Sequence, residues 1–317
     1  MSKRALGAVL ILAVCLSGCK VLVRQYYFNK GNTFFRDNKF DRAIVMYEKA
    51  LDADPEFTKA YFYLGSSYLS LFKPGVNDEK NKNRAKKAVD AFTRVLEKEP
   101  NNIDALLSLA DLYDKEGNFD EALKYYKKRI ANNPKEPTGY YVMAEFYRRH
   151  GKNDEAAKVY EQRISLDPQN PEGYLYLARF YGDMSPPDFD KSIEAHRRRI
   201  ALLTDPKDLK EAYYSIGVTA WAKSFRRIDL TVEERKATLQ TGYEALDKAM
   251  EIDPAYPEPV IYKSLLLREE AKKVAMNDRK RSGELEAEAD KLKEEYITLK
   301  KKQKEAQAAA PAEAAAK

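Results

Sequence analysis

The sequence predicts an all-α protein built from stacked helix-turn-helix units. Three observations support this fold class. Apolar residues recur at helical spacing in short stripes, and glycine and proline fall mainly between those stripes, where helices end. One order of aromatic, small and proline residues also returns at intervals of about 34 residues or slightly more. A single helical hairpin cannot bury its own apolar faces, so several such units are expected to stack into a continuous core.

The clearest unit occupies residues 137–170. Tyr140 and Tyr147 belong to one apolar face at helical spacing, which predicts a first helix. A turn around Gly151 separates it from a second apolar stripe, because glycine readily adopts the backbone conformation that ends a helix. Pro168 then stops the second helix, since proline cannot continue one. The segment is therefore predicted to be a helical hairpin.

Five further segments align with this hairpin. Residues 58–102 show the shared pattern most clearly in their first half, with Tyr61, Gly65 and Tyr68. The order of aromatic, Leu-Gly, Tyr, Ala, Phe and Pro at these spacings resembles the tetratricopeptide repeat. The resemblance implies a right-handed superhelix of repeats, in which small residues such as Gly31 and Gly65 lie where the two helices of a hairpin approach closely. The six repeats are predicted at residues 24–57, 58–102, 103–136, 137–170, 171–208 and 210–256.

The start of the chain has the pattern of a targeting segment. Lys3 and Arg4 precede an apolar run that is too short to span a bilayer. Leu16 and the small residues Ser17 and Gly18 then lead to Cys19, and the stretch resembles the lipobox of bacterial lipoproteins. An ordinary signal peptide with a chance cysteine is the alternative.

The lipobox resemblance has consequences for location. It implies that residues 1–18 are a signal peptide, that Cys19 is acylated, and that residues 19–23 form the anchor and a short linker. Several acyl chains on one cysteine hold a protein stably in a bilayer. Because Lys20 rather than aspartate follows the cysteine, the resemblance favours the outer membrane, with the protein facing the periplasm.

Composition narrows the class of function. The chain of 317 residues has 56 basic and 50 acidic residues, a balance too even to indicate a nucleic-acid-binding protein. Cys15 and Cys19 are its only cysteines, so disulfides and thiolate metal sites are not expected in the mature part. His150 and His196 stand at positions typical of turns and packing, and no catalytic constellation or phosphate-binding loop is visible. We therefore expect a protein that is not an enzyme and holds no metal or cofactor.

Two repeats are longer than the others because of insertions near residues 71–82 and 223–235. Both insertions fall between the two helices of a repeat, so they are either tolerated loop growth or contact surfaces. Within the second insertion, Thr231 and Glu234 match a capping box. This match predicts that the second helix of the sixth repeat begins early.

The part of the chain after the repeats is more highly charged, and its apolar residues are less regularly spaced. Residues 257–276 are predicted to form a capping helix with a polar outer face. Residues 284–304 are predicted to form a charged helix, with Leu285 and Leu292 at heptad spacing. Three interpretations of this helix remain open: it packs on the end of the solenoid, it is solvated, or it forms a coiled coil. The Ala-rich residues 305–317 are predicted to be disordered.

The tetratricopeptide resemblance implies a concave groove lined by the first helix of each repeat. The family's groove positions place aromatic and apolar side chains toward both ends of this groove and charged ones in the middle. Such a groove suits an apolar helix or an extended peptide, and packing within the stack is an equal alternative for each aromatic. Four members are expected to form one patch near the anchor, unless the linker or the C-terminal helix covers it. The candidates are Phe28, Phe35, Phe62 and Leu69 in that patch, followed by Tyr141, Glu145, Arg148, Arg179, Tyr214 and Trp221.

Arginine replaces a small residue at one second-helix position of the three middle repeats, at Arg129, Arg163 and Arg199. Arginine is rarely buried unless it is paired. The pattern predicts either a ladder of ion pairs between repeats, with Glu145 as one partner, or a stripe that binds anions.

These observations predict a membrane-anchored scaffold that binds partner proteins or peptides in its groove and contributes to the assembly of an envelope complex. Its expected partners are a protein or peptide, and the lipid bilayer through Cys19. Pilotins of type IV pili and a component of outer-membrane barrel assembly are similar in combining a lipid anchor with such repeats. An accessory subunit of a cell-wall enzyme and a purely structural tether are the alternatives.

Overall fold

The computed structural model describes the backbone of residues 3–315 and the side chains of residues 20–306. Across the described backbone the chain forms fourteen α-helices and no strand, which confirms the predicted all-α fold. The predicted signal peptide and Cys19 lie outside the residues whose side chains are described. The helices are α1 (Lys3–Arg36), α2 (Phe40–Ala53), α3 (Thr58–Leu71), α4 (Glu79–Lys98), α5 (Ile103–Lys115), α6 (Phe119–Asn132), α7 (Pro137–Arg149), α8 (Asn153–Leu166), α9 (Pro171–Asp183), α10 (Phe189–Ile200), α11 (Pro206–Arg226), α12 (Val232–Ile252), α13 (Pro257–Lys273) and α14 (Arg279–Ala315).

The chain divides into two compact units, Met1–Met143 and Ala144–Lys317, with the boundary inside α7. In the first unit, α1 with α2, α3 with α4 and α5 with α6 pack as hairpins. In the second unit, α9 with α10, α11 with α12 and α13 with α14 do the same. The second helix of one hairpin also contacts the first helix of the next. Each unit is therefore a stack of hairpins of the solenoid type, while the right-handed superhelix stays a prediction.

Small residues allow the helices of one hairpin to approach closely. A Cβ atom on Gly31 would lie 2.6 Å from Cε1 of Tyr47, whose side chain is fully buried. A Cβ atom on Gly217 of α11 would likewise lie too close to the side chain of Leu246 on α12. Any larger residue would push the two helices apart, so the predicted role of these positions is confirmed.

The C-terminal helices differ from the prediction. Helix α14 begins at Arg279, before the charged helix predicted at residues 284–304, and continues through most of the tail that was expected to be disordered, because alanine, glutamate and lysine strongly favour helix. It packs on α13 as a further hairpin, so the predicted capping helix and charged helix are the two helices of one helix-turn-helix unit. Leu285 and Ala289 are fully buried between them, and Ser264 Oγ donates a hydrogen bond of 2.8 Å to the Ala289 carbonyl. The start of the heptad stripe therefore packs within the chain.

The first insertion forms an ordered loop around a buried amide. Asn81 is 2% exposed and accepts a hydrogen bond of 2.9 Å from the Lys73 backbone N–H. Its amide group donates bonds of 2.8 Å to the carbonyls of Lys73 and Val76. Because a buried polar group needs partners, these three bonds hold the loop in one conformation.

The second insertion lengthens α11 and α12 to 21 residues each. The predicted capping box is confirmed: Thr231 Oγ1 accepts from the Glu234 N–H at 3.2 Å, and Glu234 Oε2 accepts from the Thr231 N–H at 2.8 Å. Arg235 is buried and donates to the carbonyls of Ser224 and Arg227 at the end of α11. The helix end and the loop after it are thus held together by one guanidinium group.

The three middle-repeat arginines are buried, at 6% to 8% exposure. Arg129 Nη2 lies 2.9 Å from Glu136 Oε2, and Arg163 Nη2 lies 3.9 Å from Asp167 Oδ2. Both carboxylates stand at the end of the arginine's own repeat, within seven residues of it. The predicted partner Glu145 is wrong, because these nearer carboxylates take its place.

Candidate protein-binding surfaces

Phe28 belongs to the core of the first unit, so its assignment to the groove is wrong. Its side chain is 7% exposed. Its ring centroid lies 4.9 Å from that of Phe57, 5.7 Å from that of Tyr63 and 5.8 Å from that of Tyr47. Three rings from α2, α3 and the segment between them enclose it, and no face is left for a partner.

Phe35, Phe62 and Leu69 are half-buried and pack against the same core. A surface cavity of about 390 Å³ is lined by Phe35 and Tyr63, together with polar residues of α1. Phe62 and Leu69 are not part of its lining, although the Phe62 ring centroid lies 5.4 Å from that of Tyr63. Because Phe28 is buried, the four predicted residues do not together form an accessible patch. Val21 in the linker is 47% exposed and does not cover the cavity.

Two of the four candidates in the middle of the predicted groove pair with each other within the chain. Tyr141 is half-buried and Arg179 is exposed. Glu145 and Arg148 pair through two bonds of 2.7 Å, which raises the pKa of Arg148. The two charges satisfy each other, and a bidentate pair of this geometry offers a partner little unpaired charge.

Tyr214 and Trp221 belong to a continuous strip of five rings in the second unit. We call this surface the aromatic strip, and it runs over Tyr256, Tyr214, Tyr262, Trp221 and Phe225. Successive ring centroids lie 5.5, 5.4, 5.5 and 5.3 Å apart, with three edge-on contacts followed by one stacked contact. These are favourable geometries for aromatic pairs.

The strip is supported from below and exposed at one end. Leu239, Leu246 and Leu266 form the buried layer against which its half-buried rings pack. Phe225 is 54% exposed, which is high for a phenylalanine. Since the rings are held by packing, the strip is preorganised to receive an apolar side chain.

Charges frame the strip at both ends. Lys210 Nζ lies 4.7 Å from the Tyr256 ring centroid and 2.5 Å from Asp253 Oδ2. Lys273 Nζ lies 5.5 Å from the ring centroid of Phe225. Burial raises the pKa of Tyr214, as does the neighbouring Tyr262, so its hydroxyl stays neutral at physiological pH.

Tyr63 and Tyr262 were missed as candidates. Tyr63 stands two residues before Gly65, and Tyr262 stands two residues before Ser264, the small residue of its hairpin in each case. This position is not among the positions that line the groove in the family. The equal spacing was visible in the sequence. The signal for Tyr262 was hidden because residues 257–276 were interpreted as a cap rather than as half of a hairpin.

The two histidines have packing roles. Burial, Arg199 and Arg179 lower the pKa of His196 from 6.5 to about 4, so this ring is neutral at neutral pH. His150 is exposed, and its ring centroid lies 4.9 Å from that of Phe146. Within residues 20–306, no group of three or more His, Cys, Asp or Glu side chains is placed to hold a metal ion. In the described part of the chain, no helix combines the length and apolar character needed to span a bilayer.

Stacked hairpins with exposed rings on their first helices define a helical repeat protein of the protein-binding class. Family models described as tetratricopeptide repeat match residues 25–57, 59–102, 82–146 and 137–180. Residues 25–180 are therefore tetratricopeptide repeats, and proteins with such repeats are in general non-enzymatic scaffolds for protein interaction.

Individual relatives are distant. BBSome complex member BBS4 from Bos taurus is 32% identical over 101 residues, which are 32% of this chain and 17% of that protein. The crystal structure of MamA is 20% identical and covers 54% of this chain and 93% of its own, with a TM-score of 0.38. YrrB, described as a TPR protein with an unusual peptide-binding site, is 21% identical and covers 74% and 88%, with a TM-score of 0.34. The match spans less than a fifth of the curated relative.

Proposed function

We propose that this protein is a scaffold whose aromatic strip binds an apolar segment, helical or extended, of a partner protein. The observation that carries the proposal is the continuity of the strip, from Tyr256 through Tyr262 to the exposed Phe225. Aromatic anchors commonly carry most of the energy of a protein interface, and rings held by packing lose little freedom on binding.

The charges beside the strip define the partner further. Lys210 and Lys273 stand near its two ends, each beside a ring and each paired with a carboxylate, Asp253 or Glu269. A segment with apolar side chains at its centre and polar groups at its ends fits this order. The cavity beside Phe35 offers a smaller apolar contact of the same kind in the first unit.

We further propose that the scaffold is anchored through an acylated Cys19 and acts in the assembly of an envelope complex at the outer membrane. The lipobox resemblance supports the anchor. The exposed linker residues Val21 and Leu22, at 47% and 72%, are apolar side chains of the kind that tolerate a bilayer surface. Replacing Cys19 with serine and fractionating cells tests this part, and unchanged membrane association together with unchanged processing contradicts it.

The strip is tested by affinity capture of partners, identified by mass spectrometry. Trp221→Ser combined with Phe225→Ser removes its exposed end, and Val45→Ser is the matched control because Val45 is 45% exposed on α2, outside the strip. We expect the strip variant to lose a set of partners that the control retains. Circular dichroism and the midpoint of thermal unfolding show whether the variants remain folded. Equal recovery of all partners by a folded strip variant contradicts the proposal.

A further inference from the structure

The turns of the last two hairpins meet at one edge of the second unit. Lys273, the last residue of α13, donates hydrogen bonds of 3.0 and 3.2 Å to the carbonyls of Ser224 and Phe225 near the end of α11. These bonds join the C-terminal end of α11 to the C-terminal end of α13, and so bring the two following loops to the same edge. We call the surface formed by residues 223–236 and 272–281 the turn edge.

Large apolar side chains project from the turn edge. Ile228 is 90% exposed, Met276 66%, Phe225 54% and Val232 43%. Ile228 stands in the loop between α11 and α12, and Met276 in the loop between α13 and α14. Exposed apolar groups gathered at one place on a soluble surface usually mark a site of contact.

The same edge holds the positive charge of the protein. Residues 223–236 carry five Lys or Arg and three carboxylates, and residues 272–281 carry five Lys or Arg and one carboxylate. This excess of six equals the formal net charge of the whole chain, +6, so the remainder of the sequence is balanced. The exposed cations of the edge are Arg226, Arg227, Lys236, Lys272, Arg279, Lys280 and Arg281.

The edge is held in shape before any partner arrives. Arg235, in the first turn of α12, is buried and donates to the carbonyls of Ser224 and Arg227 at the end of α11, across the turn. Arg227 in turn makes bonds of 2.7 and 2.6 Å to the carboxylate of Asp229, directly after Ile228. The apolar tip therefore need not become ordered on binding, which lowers the entropic cost of contact.

We propose that the turn edge docks on an anionic lipid surface. Protruding apolar side chains surrounded by lysine and arginine suit the boundary between headgroups and acyl chains, where the apolar groups enter and the cations face anionic headgroups. A protein partner with an acidic apolar patch is the other occupant of comparable chemistry. The lipid surface fits better, because the cations surround the apolar tips in two separate loops and so match a continuous sheet of negative charge.

This contact is distinct from the lipid anchor, and it shares only Phe225 and Lys273 with the end of the aromatic strip. It would hold the second unit against the bilayer through its turns, whatever tethers the start of the chain. Its failure would leave the proposed partner site unaffected, since Ile228 and Met276 are not members of the strip.

The test uses the full chain with Cys15→Ser and Cys19→Ser, so that one introduced cysteine can carry an environment-sensitive fluorophore. The label is placed by Ile228→Cys or Met276→Cys, and Val45→Cys on α2 is the matched control at an exposed apolar position. Each protein is mixed with vesicles of phosphatidylglycerol or of phosphatidylcholine.

With phosphatidylglycerol we expect a blue shift at both edge positions and none at the control position, and we expect the shift to be absent with phosphatidylcholine. Arg279→Glu combined with Lys280→Glu should abolish the shift at Ile228→Cys. An equal shift at the control position, or none at the edge positions, overturns the proposal. Loss of a captured protein partner in an Ile228→Ser variant, with no response to vesicles, would assign the edge to a protein and also overturn it.

Discussion

The ring of Phe92 lies directly against the backbone of Gly65. A Cβ atom on Gly65 would be 2.9 Å from Cε1 of that ring, and Phe92 is fully buried. The contact joins α3 to α4 at their closest approach and involves a rigid ring that cannot move aside. It has a counterpart in the pair of Gly31 and Tyr47.

Gly65→Ala should therefore destabilise the protein despite the higher helix propensity of alanine. We expect a loss of about 1–3 kcal/mol in the free energy of unfolding, the usual cost of overpacking a core. Urea denaturation followed by circular dichroism measures it. Gly283→Ala is the control, because nothing lies within 4 Å of the added Cβ in α14, and it should be neutral or slightly stabilising. Equal effects of the two substitutions would show that α3 and α4 can separate freely.

Asn81→Ala should destabilise the protein by about 1–3 kcal/mol, because it removes the three hydrogen bonds that the buried Asn81 amide makes to the backbone of Lys73 and Val76. Asn77→Ala in the same loop is the control, since Asn77 is exposed. Hydrogen exchange of residues 72–78 provides a local readout, and we expect faster exchange only in the Asn81 variant. Unchanged exchange in that variant would contradict the ordering role of its amide group.

Tyr140→Ala should destabilise the protein by about 3–5 kcal/mol, because Tyr140 is 1% exposed. Its hydroxyl donates a hydrogen bond of 3.0 Å to the Pro134 carbonyl, so Tyr140→Phe should cost only about 1 kcal/mol. Thermal and urea unfolding compare the two. A loss below about 1 kcal/mol for the alanine variant would mean that the ring does not pack as described.

Stability should depend on pH through His196. Its pKa is lowered from 6.5 to about 4 in the folded state, by burial first and then by Arg199 and Arg179. The unfolded chain therefore binds the proton more readily, so stability is fully present above pH 6.5 and falls as the pH drops toward 4. The loss attributable to this group is up to about 3 kcal/mol.

His196→Gln should flatten this part of the profile, whereas His150→Gln should leave it unchanged because His150 is exposed. Unfolding free energies measured between pH 4 and 6.5 in both variants separate the two residues. The same slope in the His196 variant as in the unmodified protein would show that other groups cause the acid sensitivity.

Several features could be predicted because they depend on local sequence. The hairpins follow from helical spacing and from turns such as the one at Gly151, whose φ of +69° suits glycine. The capping box of Thr231 and Glu234 spans four residues of one chain segment and was predicted correctly. Gly31 and Gly65 were predicted as close contacts because each recurs at one repeat position.

Predictions that depend on neighbours in space were less successful. Phe28 occupies a groove position of its helix, yet rings from later segments enclose it. Glu145 carries a suitable charge for a buried arginine, but Arg148 lies closer and pairs with it. Leu285 and Ala289 belong to the apolar stripe that was recognised in the sequence, and both are buried. The stripe alone does not show which helix will pack against it.

The sequence by itself determined the fold class, the hairpin order and the positions of the small residues, because these follow from periodicity and backbone preference within short segments. Only the tertiary structure decided which first-helix side chains stay accessible, since that depends on rings contributed by the next hairpin. It also brought residues 223–236 and 272–281 together, because Lys273 at the end of α13 donates hydrogen bonds to carbonyls near the end of α11. Charges and apolar tips that are far apart in the chain become one surface there because helices of similar length place their turns at the same edge.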